Sequence, residues 1–329
     1  MNGLDMAQDL ACRLRGHWRR SQAEPLWGRS AILVLPRVLP SDAEARLPHR
    51  AAWCLGRESL ERLLLNLSDI ARLVCLGTAL QPHHDPQARI TLTFDAGWRS
   101  TLDVAMPLLA HYAIPASVFL STGWLRHPRG SWRLTIGEGL WEGRDARRIH
   151  DTLADAGLPR PPLPPASPDT AYSRALARYL TQLEGLDARR LAAVADYLHN
   201  ELGHAPHNLD PFSIRRLEHE GLVRFGGRGV GLSDLEPLDD DAVRRQVKGA
   251  RRELARLCRE PLPIFAYPDR QPSPRLQRLV SQCGVSMALA GQGGWLSPRS
   301  DPLALPRIPL TQPLAQSPGR LFDYLLGQL

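Results

Sequence analysis

Three short segments gather the side chains best suited to chemistry: residues 95–98, 226–232 and 267–270. The first offers a carboxylate, Asp95, followed by Trp98 and Arg99. The second sets a guanidinium, Arg228, among glycines. The third holds Tyr267 and Asp269. Carboxylates accept protons or hold cations, and guanidiniums donate to anions. The histidines suggest less. His83 and His84 are adjacent, so their side chains diverge on an extended chain, and His204 and His207 sit on either side of Pro206. Neither pair has metal-ligand spacing, and both read as loop histidines. No GxGxxG, Walker loop, GxSxG or HExxH is present, so those catalytic classes gain no local support.

Each of the three segments follows a strand-like run, which is the position a βα architecture gives to its ligand-binding residues. The apolar run 31–35 stops at Pro36 and reads as a buried strand. Leu60, Leu63, Leu64, Leu67 and Ile70 follow helical spacing and predict an amphipathic helix over 58–70. Residues 72–76 read as a strand. Residues 88–92 lead through Phe94 and Asp95 to Gly97, a strand closed by a tight turn. A helix marked by Leu102, Ala105, Met106 and Leu109 follows, and then a strand over 117–120. Strand, helix, strand in about 30 residues implies parallel pairing. The rhythm returns after residue 205: a helix from Ser213 to Gly221, a strand over 223–225, a stripe of Val243, Val247, Ala250, Leu254 and Leu257, a strand over 263–267, a helix over 275–282 and a strand over 285–289. Between the two halves, Pro159, Pro161, Pro162, Pro164, Pro165 and Pro168 exclude helix interior and central strand, so this stretch reads as an extended loop within a helical insertion at about 130–205. The pattern predicts a barrel or an open parallel sheet.

Composition sets the outer limits. The chain has 329 residues, 43% hydrophobic and 23% charged, enough for a large core. The apolar runs are far shorter than the roughly 20 residues a bilayer demands, so no membrane span is expected. Residues 1–28 read as a helical or loose leader without the apolar centre of a secretory signal. Five scattered cysteines form no CxxC pair, which favours a reduced, cytoplasmic protein. The net charge is +7, and Lys248 is the single lysine. The arginines are spread along the chain near Asp or Glu, which reads as a solvated basic surface, and no nucleic-acid partner is expected.

Ordered motifs add a resemblance. Residues 32–40 (ILVLPRVLP) look like ILMYHRV, 93–101 (TFDAGWRST) like TFDDGYRD, and 114–123 (IPASVFLSTG) like IPATFFLATG. Residues 221–235 (GLVRFGGRGVGLSDL) look like GHEIGSHTVTHPDL, and 265–270 (FAYPDR) like FAYPYG. Residues 301–308 (DPLALPRI) look like a closing segment. Those patterns belong to the polysaccharide deacetylases, the NodB-homology or carbohydrate esterase family four group, which this chain resembles over roughly 30–310. The resemblance implies a distorted (β/α) barrel of the polysaccharide deacetylase type, residues 29–329, with the helical, proline-rich insertion inside it.

The family removes acetyl groups from sugars with a divalent metal, usually zinc. Two histidines and an aspartate hold the metal, and a second aspartate acts as general base. By that resemblance Asp95 stands at the base position. Ala96, Arg228 and Leu232 stand where the metal ligands would be, and Pro36 replaces the histidine of the opening strand. Asp269 and Arg270 replace an aromatic-glycine pair. Ala and Leu offer no donor atom and Arg stays protonated, so no cofactor is expected. Asp95 then reads either as a residual base or as a structural carboxylate. Arg228 reads as its ion-pair partner or as a solvent-facing group. Trp98 and Tyr267 read as sugar-stacking faces or as packing, and Arg307 as an anion ligand or a structural ion pair. The leading expectation is a deacetylase-like protein that binds a glycan, an acetylated sugar or an active polysaccharide-pathway enzyme without metal-dependent hydrolysis. Two alternatives stay open: a metal-free deacetylase using Asp95, and an interaction scaffold.

Overall fold

A computed structural model describes residues 23–125, 131–143, 145–203, 207–231, 234–268 and 271–329. Its strands are β1 (Ser30–Leu35), β2 (Arg37–Leu39), β3 (Cys54–Gly56), β4 (Ala71–Leu73), β5 (Ala88–Ala96), β6 (Ala116–Ser121), β7 (Val223–Gly229), β8 (Ile264–Ala266), β9 (Met287–Leu289) and β10 (Ile308–Pro309). Eight of them form one sheet in the order β10-β1-β5-β6-β7-β8-β9, with β4 on β5, and every pairing is parallel. The sheet curls into an incomplete barrel, and a single parallel bridge, Leu289 to Leu305, links β9 to the segment before β10. The parallel pair β2-β3 stands apart and was not anticipated by periodicity. Three residues carry too short a pattern to betray a strand.

The longer helices are α1 (Arg57–Ile70), α2 (Trp132–Glu142), α3 (Ala146–Asp155), α4 (Thr170–Glu184), α5 (Ala188–Leu202), α6 (Pro211–His219), α7 (Asp240–Leu257), α8 (Pro274–Gln282) and α9 (Pro318–Leu326). Helix α7 shows why they form. The Asp239 side chain caps the Ala242 N–H, and Asp240 and Asp241 meet the positive end of the helix dipole. The stripe Val243, Val247, Ala250, Leu254 and Leu257 is buried, which contributes roughly 1.5–3 kcal/mol for each large side chain. Expected and observed bounds differ by a few residues at most elements. The exception is 72–76, where β4 ends at Leu73 and a short helix, Leu76–Ala79, follows.

Strand parity divides the barrel wall. Ile90, Leu92 and Phe94 of β5 face the helical layer with Ala116, Val118 and Leu120 of β6. The alternate residues face the lumen, where Ile32, Phe119, Ile264, Ala266, Leu289 and Leu305 form a separate cluster. Thr91, Thr93 and Asp95 share that inward parity. Of the expected helical or loose leader, residues 23–28 are described: Glu24–Leu26 form a short helical turn, and Ala23 and Leu26 are buried in the main core. Residues 1–22 lie outside the described residues. Helices α2 to α5 build their own core of Ile136, Ile149, Leu176, Leu180 and Leu198 among others. The proline run lies extended against α4, where the Tyr179 hydroxyl donates to Pro159 O at 2.8 Å and Tyr172 to Pro162 O at 3.4 Å. Among the described residues, polar links at His49 and Glu138 tie this helical segment to the barrel. His49 Nδ1 lies 2.8 Å from Ser173 Oγ, and Glu138 pairs with Arg50 and, at 3.3 Å, with Arg37.

Candidate functional site

Asp95 is the penultimate residue of β5, aimed into the mouth of the barrel and about one-fifth exposed. Arg307, one residue before β10, sits deeper, because its strand neighbour Ile308 pairs with Leu33 near the middle of β1. It is almost completely buried. Its guanidinium grips Asp95 through two parallel hydrogen bonds, Nη1 to Oδ1 at 2.7 Å and Nη2 to Oδ2 at 3.0 Å, and its Nε donates to Ala290 O at 2.7 Å. Such a fork fixes both partners and their orientation. Arg228, at the end of β7, brings a second guanidinium: its Nε lies 3.4 Å from Asp95 Oδ2, and its Nη2 3.5 Å from Pro268 O. Burial pushes the Asp95 carboxyl up, but the Arg307 and Arg228 charges outweigh it and hold the carboxyl below the usual carboxylate range. Asp95 is therefore a carboxylate held ionised between two cations.

The turn after Asp95 is unusual. Ala96 has φ 70° and Gly97 φ 76°. An alanine in the left-handed region costs about 1–2 kcal/mol, while Asn and Asp tolerate that region better. The turn persists because the segment after α5 fastens it. Asn208 Nδ2 donates to Ala96 O at 3.0 Å, the Leu209 N–H to Gly97 O at 2.9 Å, and the Arg99 N–H to His207 O at 2.7 Å. Leu120 fills the space that a Cβ on Gly97 would need, at 2.5 Å.

The other expected site residues distribute unevenly. Trp98 is half-buried at the rim, edge-on to Trp124 with ring centres 6.0 Å apart. Arg99 points away from Asp95 and pairs with Asp210 at 3.3 Å and Asp103 at 3.8 Å. Tyr267 takes the packing alternative and not the sugar-stacking one: it is fully buried and lies edge-on against Phe265 at 5.5 Å within an apolar cluster. A ring with no exposed face cannot stack on a sugar. Leu232, Asp269 and Arg270 lie outside the described residues, as does His204. His83 is not a solvated loop residue. Its side chain is buried, with Nε2 3.1 Å from Ser30 Oγ and Nδ1 accepting from the Asp85 N–H at 3.3 Å. His207 packs against His199 at 5.3 Å. Among the described residues no group of three or more His, Cys, Asp or Glu side chains is placed to hold a metal ion, and no helix is long and apolar enough to cross a membrane.

Reading the sequence did not pair Arg307 with Asp95. Inward parity identifies a shared face but not a neighbour, and the two residues are 212 positions apart. Nor did it find the Glu138 cluster, because a single glutamate on α2 carries no spacing signal.

No family model matches the sequence, and no curated protein matches it. Solved structures do. The Streptococcus pyogenes deacetylase PplD in complex with acetate superposes with a TM-score of 0.58 at 15% identity, over 91% of this chain and 99% of that one. IcaB from Ammonifex degensii gives 0.55 at 15% identity, over 90% and 97%. A de-N-acetylase from Aggregatibacter actinomycetemcomitans gives 0.54 at 13% identity, over 90% and 100%. At such identities the likeness speaks for architecture. This chain has the distorted (β/α) barrel fold of the polysaccharide deacetylases.

Proposed function

We propose that this protein is a deacetylase-like, glycan-binding protein that does not carry out metal-dependent hydrolysis. The observation that carries this reading is the double guanidinium clamp on Asp95. The divalent metal that the resemblance implies does not fit these residues. A cation at Asp95 would share its carboxylate with two fixed positive charges, and Ala96 beside it has no donor atom. A catalytic zinc needs three protein ligands. Asp95 is also a weak base, since a carboxyl held ionised has little affinity for a proton at neutral pH.

The φ of Ala96 supports the same history. Its strained turn suits Asp or Asn better than Ala, so the backbone keeps the shape of a ligand-bearing turn without the ligand. Two of the neighbours are named as deacetylases, one of them with acetate bound, so the cleft is read as one for acetylated sugars. Residues 29–329 are read as one body carrying the 130–205 helical segment as an insertion. The described cysteines Cys54, Cys75, Cys258 and Cys283 are unpaired, which supports a cytoplasmic location.

Metal content after zinc loading, with acetate release from acetylated oligosaccharides, tests the proposal. Zinc far below one per chain and no acetate are expected; stoichiometric zinc with turnover would overturn it. Chelator-resistant turnover abolished by Asp95→Asn would instead favour metal-free hydrolysis, with Arg228 as oxyanion donor. The triple variant A96D/R228H/L232H is expected to gain zinc near one per chain. A triple variant that folds but stays zinc-free would mean that the three positions are not the ligand positions.

A further inference from the structure

Among the described residues the charges at the barrel mouth do not balance. Arg307 alone satisfies both oxygens of Asp95. Arg228 is a second guanidinium on the same carboxylate, so the cluster holds two cations and one anion. A partly buried positive charge without its own counterion is costly unless something pairs with it.

Arg228 also has donors to spare. A guanidinium carries five N–H groups. Its Nε is buried, without a hydrogen-bond partner, and at 3.4 Å the geometry toward Asp95 does not make one. Its Nη2 meets Pro268 O at 3.5 Å, the outer limit of a hydrogen bond. Among the described residues the remaining donors have no acceptor. The side chain is 15% exposed, so the cluster opens to solvent at the C-terminal ends of the strands. The other features of that mouth suit a ring. Trp98 follows the end of β5, Trp124 the end of β6, and the two strands are neighbours.

We propose that Arg228 is a binding residue for the carboxylate of an acidic sugar, so that the cleft selects a uronate-containing glycan over a neutral one. The guanidinium fork matches a carboxylate in two parallel hydrogen bonds, which a lysine cannot reproduce. The incoming anion restores neutrality, and the indole at the rim takes the apolar face of the ring. The proposal rests on the glycan reading above but is independent of whether any hydrolysis survives.

The test uses the full chain and two probes of equal length, tri-galacturonate and tri-N-acetylglucosamine, measured by titration calorimetry. Tri-galacturonate is expected to bind at least tenfold tighter, and less tightly as salt rises. Arg228→Gln is expected to erase the preference by weakening the binding of tri-galacturonate. Arg228→Lys, which keeps the charge and loses the fork, is expected to retain only part of it, and circular dichroism checks that both variants fold. Equal affinity for the two probes, or a preference that survives Arg228→Gln, overturns this proposal and leaves the glycan reading standing. Binding of neither probe overturns both. Acetate release alters the reading of catalysis and not this one.

Discussion

Arg307 and Asp95, 212 residues apart in the chain, meet through two parallel hydrogen bonds of 2.7 and 3.0 Å at the mouth of the barrel. The pair joins the end of β5 to the segment entering β10, so it fastens the edge strand of the sheet to the strand two places in, across β1. Removing one partner leaves the other ionised and poorly solvated. Arg307→Ala is expected to cost about 3 kcal/mol, the lower end for a broken buried pair, because Asp95 is partly exposed and keeps Arg228 nearby. Arg307→Lys should recover less than half, since lysine cannot make the fork and also reach Ala290 O. Urea unfolding of Arg307→Ala, of Asp95→Asn and of the double variant measures the coupling. Additive losses would mean that the fork contributes nothing of its own.

Stability should fall with acid in two separate steps. Burial, partly countered by Glu138, brings the His49 imidazole down from 6.5 to about 4. The native state thus holds it neutral while the unfolded chain takes up a proton. The contribution is complete above pH 6.5 and declines as pH falls toward 4, by roughly 3 kcal/mol in all. Asp95 has the other window. Its folded carboxyl lies below the ordinary 3.8, so its contribution is complete above pH 3.8 and is lost only as pH falls beneath it. His49→Gln should flatten the first decline and leave the second, and Asp95→Asn should leave the first and reduce the second, to which the carboxyls of Asp42, Glu138 and Asp210, also held low, contribute as well. Denaturation midpoints from pH 3 to 8 distinguish them; a single decline untouched by His49→Gln would show that this histidine is not held neutral.

The difference between what could and could not be read from residues alone follows from range. Helix α7 was legible because five apolar residues recur on one face and three aspartates precede them. The end of β5 was legible because an apolar run meets Asp95 and Gly97. Contacts across the barrel were not. Tyr267 and Trp98 are both aromatics beyond a strand end, yet one is sealed against Phe265 and the other lies at the rim. What separates them is the neighbouring packing, which no local pattern encodes. The φ of Ala96 was equally hidden, because alanine is the last residue, short of the β-branched and proline types, that its sequence position would mark as left-handed.

That turn gives the sharpest local test. In an ordinary strand, replacing Ala by Gly costs about 0.5–1 kcal/mol in chain entropy. At residue 96 the backbone is left-handed, so glycine removes a strain of about 1–2 kcal/mol. Ala96→Gly is therefore expected to be stabilising by up to about 1 kcal/mol, opposite in sign to the usual effect. Gly97→Ala should move the other way. Its φ of 76° and the Leu120 side chain 2.5 Å from the new Cβ both penalise it, by about 2 kcal/mol or more. Thermal and urea unfolding of the two single variants read the signs directly. If both substitutions destabilise, the turn is not left-handed at Ala96, and the argument that its backbone keeps the shape of a ligand-bearing turn loses its footing. If the signs split as expected, the strain is real, and the fastening of this turn by Asn208 and Leu209 is what holds Asp95 in place between its two arginines.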